Sequence, residues 1–97
     1  MAYKLHWSNE AVSNLEEILE YLENKWTQKE VNNFKSKLGK QLDLIQQNPL
    51  LFPKSEIKKE LRKAVLSSQT IVFYQIIGKD IFLAHLFVTK KDIKKLK

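Results

Sequence analysis

The sequence predicts an α+β fold: an N-terminal strand, a helical hairpin and a three-stranded antiparallel meander, with both helices packed on one face of the sheet. In the first half, apolar residues recur every three or four positions, as along one side of an α-helix. After Pro53 the pattern changes to alternating or continuous apolar runs, which are typical of strands. With 97 residues, 43% of them hydrophobic, we expect residues 1–97 to form one compact domain.

The first elements are a strand and a helix. Residues 3–7, YKLHW, alternate in character and are rich in aromatic residues, which suits a strand. The Ser8 hydroxyl can cap the helix that follows, and we expect that helix at residues 9–25. Its glutamates are expected to face solvent. Four apolar residues form a stripe on its other side: Ala11, Leu15, Ile18 and Leu22.

A second helix is predicted at residues 27–47. It begins with TQKE, a capping-box pattern in which Thr27 and Glu30 exchange hydrogen bonds. It ends before Pro49, because the residue that precedes a proline avoids the helical conformation. Since the two helices are joined so closely, we expect them to pack as a hairpin.

Three β-rich runs complete the predicted sheet, at residues 61–66, 70–77 and 81–88. The short connections at 67–69 and 78–80 suit antiparallel hairpins. The last two runs are apolar on both faces. We therefore expect the helices to cover one face of these strands and part of the other face to be buried in some other way.

The net charge of +6 lies entirely in the second half of the chain. Residues 1–48 carry six Lys against seven acids, a balance of −1, whereas residues 49–97 carry eleven Lys or Arg against four acids, a balance of +7. Such asymmetry favours an acidic protein segment or nucleic acid as partner. A lysine-rich composition that only maintains solubility is the alternative.

Composition also excludes several classes of protein. The chain has no cysteine, so it can form neither a disulfide framework nor a thiolate metal site, and no metal or cofactor is expected. No apolar run approaches the roughly 20 residues that cross a bilayer, and the sequence shows no secretory leader. We expect a cytoplasmic protein without membrane contact.

The basic pair Arg62 and Lys63 at the start of the first meander strand is a candidate binding site. Adjacent strand residues point to opposite faces, so at most one of the two reaches any single groove. Arg62 can grip a phosphate or carboxylate with two hydrogen bonds, or form a structural salt bridge. His85 and Tyr74 have catalytic chemistry, but a core histidine and a tyrosine that fills the sheet face are the commoner cases.

Three segments of the chain resemble the RelE/ParE superfamily of toxins from bacterial type II toxin–antitoxin systems, over essentially the whole length. The segment HWSNEAVSNLEEILEYL resembles the opening of these toxins, and LDLIQQNPLLFP resembles their Leu-x-x-Ile-x-x-x-Pro helix exit. The meander, LRKAV, TIVFYQI and IFLAHLFVTKKD, is similar to their Leu-Arg and Tyr strand region. The resemblance implies a growth-inhibiting toxin that a cognate antitoxin neutralises.

Two mechanisms occur in the superfamily. RelE-like toxins cut messenger RNA on the ribosome, often with an Arg in the third strand and a Tyr or His near the C-terminus, whereas ParE-like toxins poison DNA gyrase. Here Ile71 stands at the position of that Arg, and no Tyr follows Lys90 and Lys91. The resemblance therefore favours the ParE-like function. A RelE-like endoribonuclease and an inactive interaction domain of the same fold are the alternatives.

A basic binding surface is expected at one edge of the meander. We expect the start of its first strand and the end of its third strand to lie at the same edge of the sheet. Arg62, Lys90 and Lys91 would then form one surface that an acidic antitoxin segment covers, and Lys63 is a further candidate for contact with a partner or target.

Overall fold

The computed structural model describes residues 3–25, 27–67 and 70–88. Two helices cover one face of a four-stranded sheet. The elements are β1 (Lys4–Trp7), α1 (Asn9–Lys25), α2 (Gln28–Gln47), β2 (Arg62–Val65), β3 (Thr70–Ile77) and β4 (Asp80–Val88). The predicted α+β fold and each predicted element are confirmed, with boundaries that differ by at most one residue.

The strands lie in the order β1-β4-β3-β2. The predicted meander is confirmed, because β2 pairs antiparallel with β3 and β3 pairs antiparallel with β4. The N-terminal strand β1 runs parallel to β4, with Leu5 opposite Ile81. The first and the last strand of the sheet are therefore neighbours, and β1 and β2 form its two edges.

Both helices begin with the caps that the sequence predicts. The Ser8 hydroxyl accepts a hydrogen bond from the Ala11 amide at 3.0 Å and caps α1. At the start of α2, the Thr27 hydroxyl accepts from the Glu30 amide at 3.3 Å, and the Glu30 carboxylate accepts from the Thr27 amide at 3.2 Å. These caps satisfy amides that have no partner within a helix.

The core lies between the helices and the inner face of the sheet. The apolar stripe predicted for α1 and the apolar residues of α2 supply its helical side, together with alternate residues of the strands. Neither helix is long and apolar enough to cross a membrane, as far as the described residues extend. The buried core residues are Ala11, Ile18, Leu22, Val31, Leu38, Ile45, Ala64, Val72, Tyr74, Ile81, Leu83 and Leu86.

A β-bulge interrupts the pairing of β3 with β4. Phe73 lies opposite His85, but the next residue, Tyr74, lies opposite Leu83. Ala84 therefore has no partner of its own on β3. One extra residue reverses the side to which all following side chains of that strand point, and it does so here in the middle of β4.

The start of α1 covers the edge of β4 beyond the bulge. The pairing of β1 with β4 ends at Leu83. Further along β4, the Ser8 hydroxyl donates to the Ala84 carbonyl at 2.8 Å, and the Asn14 side-chain oxygen accepts from the Leu86 amide at 3.0 Å. Two polar side chains thus take the place of a neighbouring strand and satisfy backbone groups of β4.

Candidate functional site

The sheet face that points away from both helices, called the open face below, carries aromatic, apolar and basic side chains. Burial alternates along β3, where Val72 and Tyr74 are buried and Phe73 is only partly buried. Strand register and this alternation assign twelve residues to the open face: Lys4, His6, Lys63, Val65, Ile71, Phe73, Gln75, Ile77, Asp80, Phe82, His85 and Phe87.

One row across the open face combines a lysine, a phenylalanine and a histidine. Lys63 lies opposite Phe73 and Phe73 lies opposite His85. The rings of Phe73 and His85 stack, with centroids 4.6 Å apart and an interplanar angle of 28°. The Phe73 ring therefore lies between the Lys63 side chain and the His85 imidazole.

The bulge explains the position of His85. A regular alternation along β4 would place His85 on the same face as Ile81 and Leu83 and so in the core, which is wrong, because the extra residue Ala84 reverses the alternation between them. Ile81 and Leu83 point into the core, whereas His85 and Phe87 lie on the open face. The histidine is therefore not a core residue.

A second ring pair joins β1 to β4 on the open face. His6 stacks on Phe82 with centroids 4.8 Å apart, and its Nε2 atom lies 2.9 Å from Asp80 Oδ1. The His6 and Asp80 side chains are 43% and 44% exposed, so this hydrogen bond is a surface contact. The two residues are 74 positions apart in the sequence, and only the parallel pairing of β1 with β4 brings them together.

Large apolar side chains stand exposed on the open face. Val65 is 54%, Ile77 55% and Phe87 48% exposed. We expected part of this face to be buried in some other way, but no described residue covers these three side chains. Val65 and Phe87 lie on either side of Ile71, and an exposed apolar area of this kind is typical of a surface that binds another protein.

Arg62 and Lys63 point to opposite faces of the sheet, as predicted. Arg62 Nη1 donates a hydrogen bond to the Phe52 carbonyl at 2.7 Å. Tyr74, which lies opposite Arg62 on β3, donates its hydroxyl to the Pro49 carbonyl at 2.6 Å. The Phe52 ring meets the Tyr74 ring edge-on, with centroids 6.4 Å apart. Arg62 thus holds the loop that follows α2, and Lys63 belongs to the open face.

Burial raises the pKa of Tyr74 to about 12, although the nearby positive charge of Arg62 acts in the opposite direction. A phenol with this pKa keeps its proton at neutral pH and donates a hydrogen bond. Tyr74 is fully buried, so it is a structural residue and cannot contact a partner directly.

The expected basic surface that joins Arg62 to Lys90 and Lys91 rested on a wrong premise. Because β2 and β4 run in the same direction, the start of β2 and the end of β4 lie at opposite ends of the sheet. Arg62 is opposite Tyr74, whereas Val88 is opposite Thr70, four residues away along β3, or about 13 Å. Lys90 and Lys91 themselves lie outside the described residues.

Basic side chains on the open face are few among the described residues. Lys4 and Lys63 lie there, and Ile71, at the position where the resemblance places an Arg, also lies on this face, opposite Val65 and Phe87. In the part of the chain that the structure describes, no three His, Asp or Glu side chains come together as a metal site.

A family model described as the ParE toxin of type II toxin–antitoxin systems, parDE, matches residues 5–96. The chain belongs to this toxin family. None of the curated protein sequences matches the toxin.

Solved structures with low sequence identity share the fold of the toxin. The chromosomal ParDE toxin–antitoxin system of P. aeruginosa is 14% identical, with a TM-score of 0.76 over 91% of this chain and 97% of that one. The E. coli DinJ–YafQ complex is 13% identical, with a TM-score of 0.65 over 94% and 97%. The YoeB dimer of Staphylococcus aureus is 16% identical, with a TM-score of 0.61 over 92% and 99%.

Tyr74→Phe tests the hydrogen bond that ties β3 to the exit of α2. The substitution leaves the buried Pro49 carbonyl without its donor, so the free energy of unfolding at pH 7 should fall by about 1–3 kcal/mol. Urea unfolding measures this change. A variant as stable as the wild type would show that the hydroxyl contributes nothing.

The pKa of Tyr74 predicts how the stability of the toxin changes in alkali. The phenol keeps its proton up to about pH 12 in the folded toxin but only up to about pH 10 in the unfolded chain. Its contribution is therefore fully present below pH 10 and is lost as the pH rises from 10 to 12. Over this window the wild type should lose up to about 2–3 kcal/mol more than Tyr74→Phe. Parallel pH profiles from urea unfolding would contradict this prediction.

Arg62→Ala and Lys63→Ala form a matched pair on opposite faces. Arg62→Ala removes the charge-assisted bond to Phe52 and should lower the free energy of unfolding by about 1–3 kcal/mol. Lys63→Ala should change it by less than about 0.5 kcal/mol, because no structural bond is lost. Thermal and urea unfolding compare the two variants, and equal effects would refute a structural role for Arg62.

Proposed function

We propose that this toxin inhibits bacterial growth in the ParE manner, by binding DNA gyrase, and that a cognate antitoxin neutralises it. The observation that carries the proposal is the chemistry of the open face. That face offers exposed apolar and aromatic side chains that suit a protein partner. Arg62 instead points to the other face of the sheet, where it donates a hydrogen bond to the Phe52 carbonyl.

Cleavage of RNA makes chemical demands that the described open face meets poorly. The reaction needs a base for the 2′-hydroxyl and an acid for the leaving oxygen, and cations that stabilise the phosphate. Among the described residues, the open face carries two lysines, Lys4 and Lys63, and no arginine. Ile71 stands where RelE-like nucleases have an arginine. These features support a toxin that binds rather than cuts.

The open face also suits an antitoxin. A disordered antitoxin segment that folds on binding can spread over a wide surface and place its apolar side chains on Val65 and Phe87. Acidic residues of such a segment would complement the +7 balance of residues 49–97. We propose Lys63, Lys90 and Lys91 as partners for those acids, with Arg62 adding its charge from behind the sheet.

One observation favours the RelE-like alternative. His6, Asp80, His85 and Lys63 lie on the same face of the sheet, and a histidine paired with a carboxylate can act as a general base. In this alternative the target is messenger RNA on the ribosome, and both histidines are essential for toxicity.

Induced expression of the toxin without antitoxin separates the two functions. The gyrase proposal predicts growth arrest with a DNA-damage response, while ribosome-bound messages stay largely intact. Purified toxin should also bind purified DNA gyrase. Rapid ribosome-dependent cleavage of messages at defined codon positions would instead establish the RelE-like function.

The double variant His6→Gln with His85→Gln is the matched control for this experiment. It removes both imidazoles from the open face and leaves the buried core unchanged. If the toxin acts by binding gyrase, growth inhibition persists in this variant. Loss of toxicity in a folded double variant that still binds gyrase as tightly as the wild type would support the nuclease.

Phe87→Ser tests the antitoxin side of the proposal. Phe87 is 48% exposed on the open face, so its loss should disturb the fold little. Removal of an apolar anchor should weaken antitoxin binding about 30-fold or more, equivalent to about 2 kcal/mol. Val12→Ser, an exposed apolar position on α1, serves as control. Calorimetry with the purified antitoxin measures both, and equal affinities would place the antitoxin elsewhere.

A further inference from the structure

The loop between α2 and β2 carries a projecting turn, residues 56–60, called the knob below. All five residues are exposed, whereas Ser55 and Leu61 on either side are buried. Ile57 is 93% exposed. An isoleucine in this position contributes almost nothing to the core of the toxin, since nearly all of its surface remains in water.

Hydrogen bonds hold the knob in one conformation. The Ser55 hydroxyl accepts from the amides of Ile57 and Lys58, each at 3.3 Å. The Ser55 amide donates to the Leu61 carbonyl at 2.8 Å, and the Leu61 amide donates to the Lys58 carbonyl at 2.9 Å. The turn is therefore closed at its base and ordered before any partner binds, which lowers the entropy cost of binding.

The residues before the knob are attached to β2. Lys54 forms an isolated antiparallel bridge with Arg62, and the Lys63 amide donates to the Pro53 carbonyl at 2.8 Å. Arg62 also holds the Phe52 carbonyl. The knob is thus a rigid projection from one edge of the sheet.

We propose that the knob is the contact through which the toxin grips its protein target, an inference that rests on the proposed function. Ile57 enters an apolar pocket of the target, and Lys58 and Lys59 meet carboxylates at the rim of that pocket. Residues 54–63 carry five cations against two acids, a balance of +3. Interfaces commonly place an apolar anchor in a desolvated pocket with polar groups around it.

The shape of the knob, together with the +3 balance of residues 54–63 around it, favours a folded acidic protein over other partners. A single convex apolar tip binds best in a pocket that the partner has already formed. A disordered antitoxin segment instead binds along grooves and sheet surfaces of the toxin. A second copy of the chain carries the same net charge of +6, so overall repulsion opposes its approach. An apolar tip contributes little to the binding of nucleic acid, because proteins bind nucleic acid mainly through cations that contact its phosphates.

Ile57→Ser is the central variant. Because Ile57 is almost fully exposed, its replacement should not destabilise the fold. It should weaken the binding of purified DNA gyrase about tenfold or more and reduce growth inhibition. Its melting temperature and its affinity for the purified antitoxin should equal those of the wild type. Val12→Ser removes an exposed apolar side chain from α1 and should keep full toxicity and gyrase affinity.

A charge-reversal variant tests the rim of the pocket. Lys58→Glu with Lys59→Glu keeps Ile57 but reverses two charges of the knob. It should slow association with gyrase and remove most of the dependence of the association rate on salt concentration.

The outcomes separate this inference from the proposed function. If the wild type binds gyrase and Ile57→Ser binds it equally tightly, the knob inference is overturned and the proposed function stands. If the wild type arrests growth without binding gyrase, the gyrase proposal fails, and loss of toxicity in Ile57→Ser still supports the knob as the contact with another protein. Weakened antitoxin binding with full toxicity would assign the knob to the antitoxin and overturn the inference.

Discussion

The hydrogen bond from the Tyr74 hydroxyl to the Pro49 carbonyl is the contact on which the rest of this toxin depends. Tyr74 lies in the central part of β3, is fully buried, and reaches the chain where it leaves α2. Because the strand and the helix exit are joined there, the following loop runs back beside β2, where Arg62 holds the Phe52 carbonyl. The sheet edge and the projecting turn at Ile57 both follow from this attachment.

The two faces of the sheet have separate tasks because neighbouring strand residues point in opposite directions. The inner face contributes Val72, Tyr74 and Leu83 to the core, and none of the open-face residues belongs to that core. The open face can then keep Val65 and Phe87 exposed. Under the proposed function, stability and recognition are divided between the two faces, so a substitution that affects one need not affect the other.

The sequence was informative wherever a local pattern determines structure. The 3.6-residue periodicity predicted both helices, and the Thr27 capping box predicted the start of α2. The parallel pairing of β1 with β4 had no local signal, since its partners are more than 70 residues apart. The bulge at Ala84 was also unreadable, because β4 is apolar on both sides of it. For that reason the sequence did not predict that His85 lies on the open face. It also did not predict the hydrogen-bond partner of Arg62, because every residue has a backbone carbonyl and no residue type marks the one that accepts.

The place of β1 in the sheet has a consequence for the synthesis of the toxin. β1 is made before the other described elements, yet among the described strands it pairs only with β4, so a nascent chain carries β1 unpaired until β4 has emerged. Contacts between residues so distant in sequence form late, because the intervening chain must first be ordered. A chain that is released before β4 is complete has neither the parallel strand pair nor the His6 and Phe82 stack. We therefore expect prematurely terminated chains to keep an incomplete sheet and to be open to proteolysis.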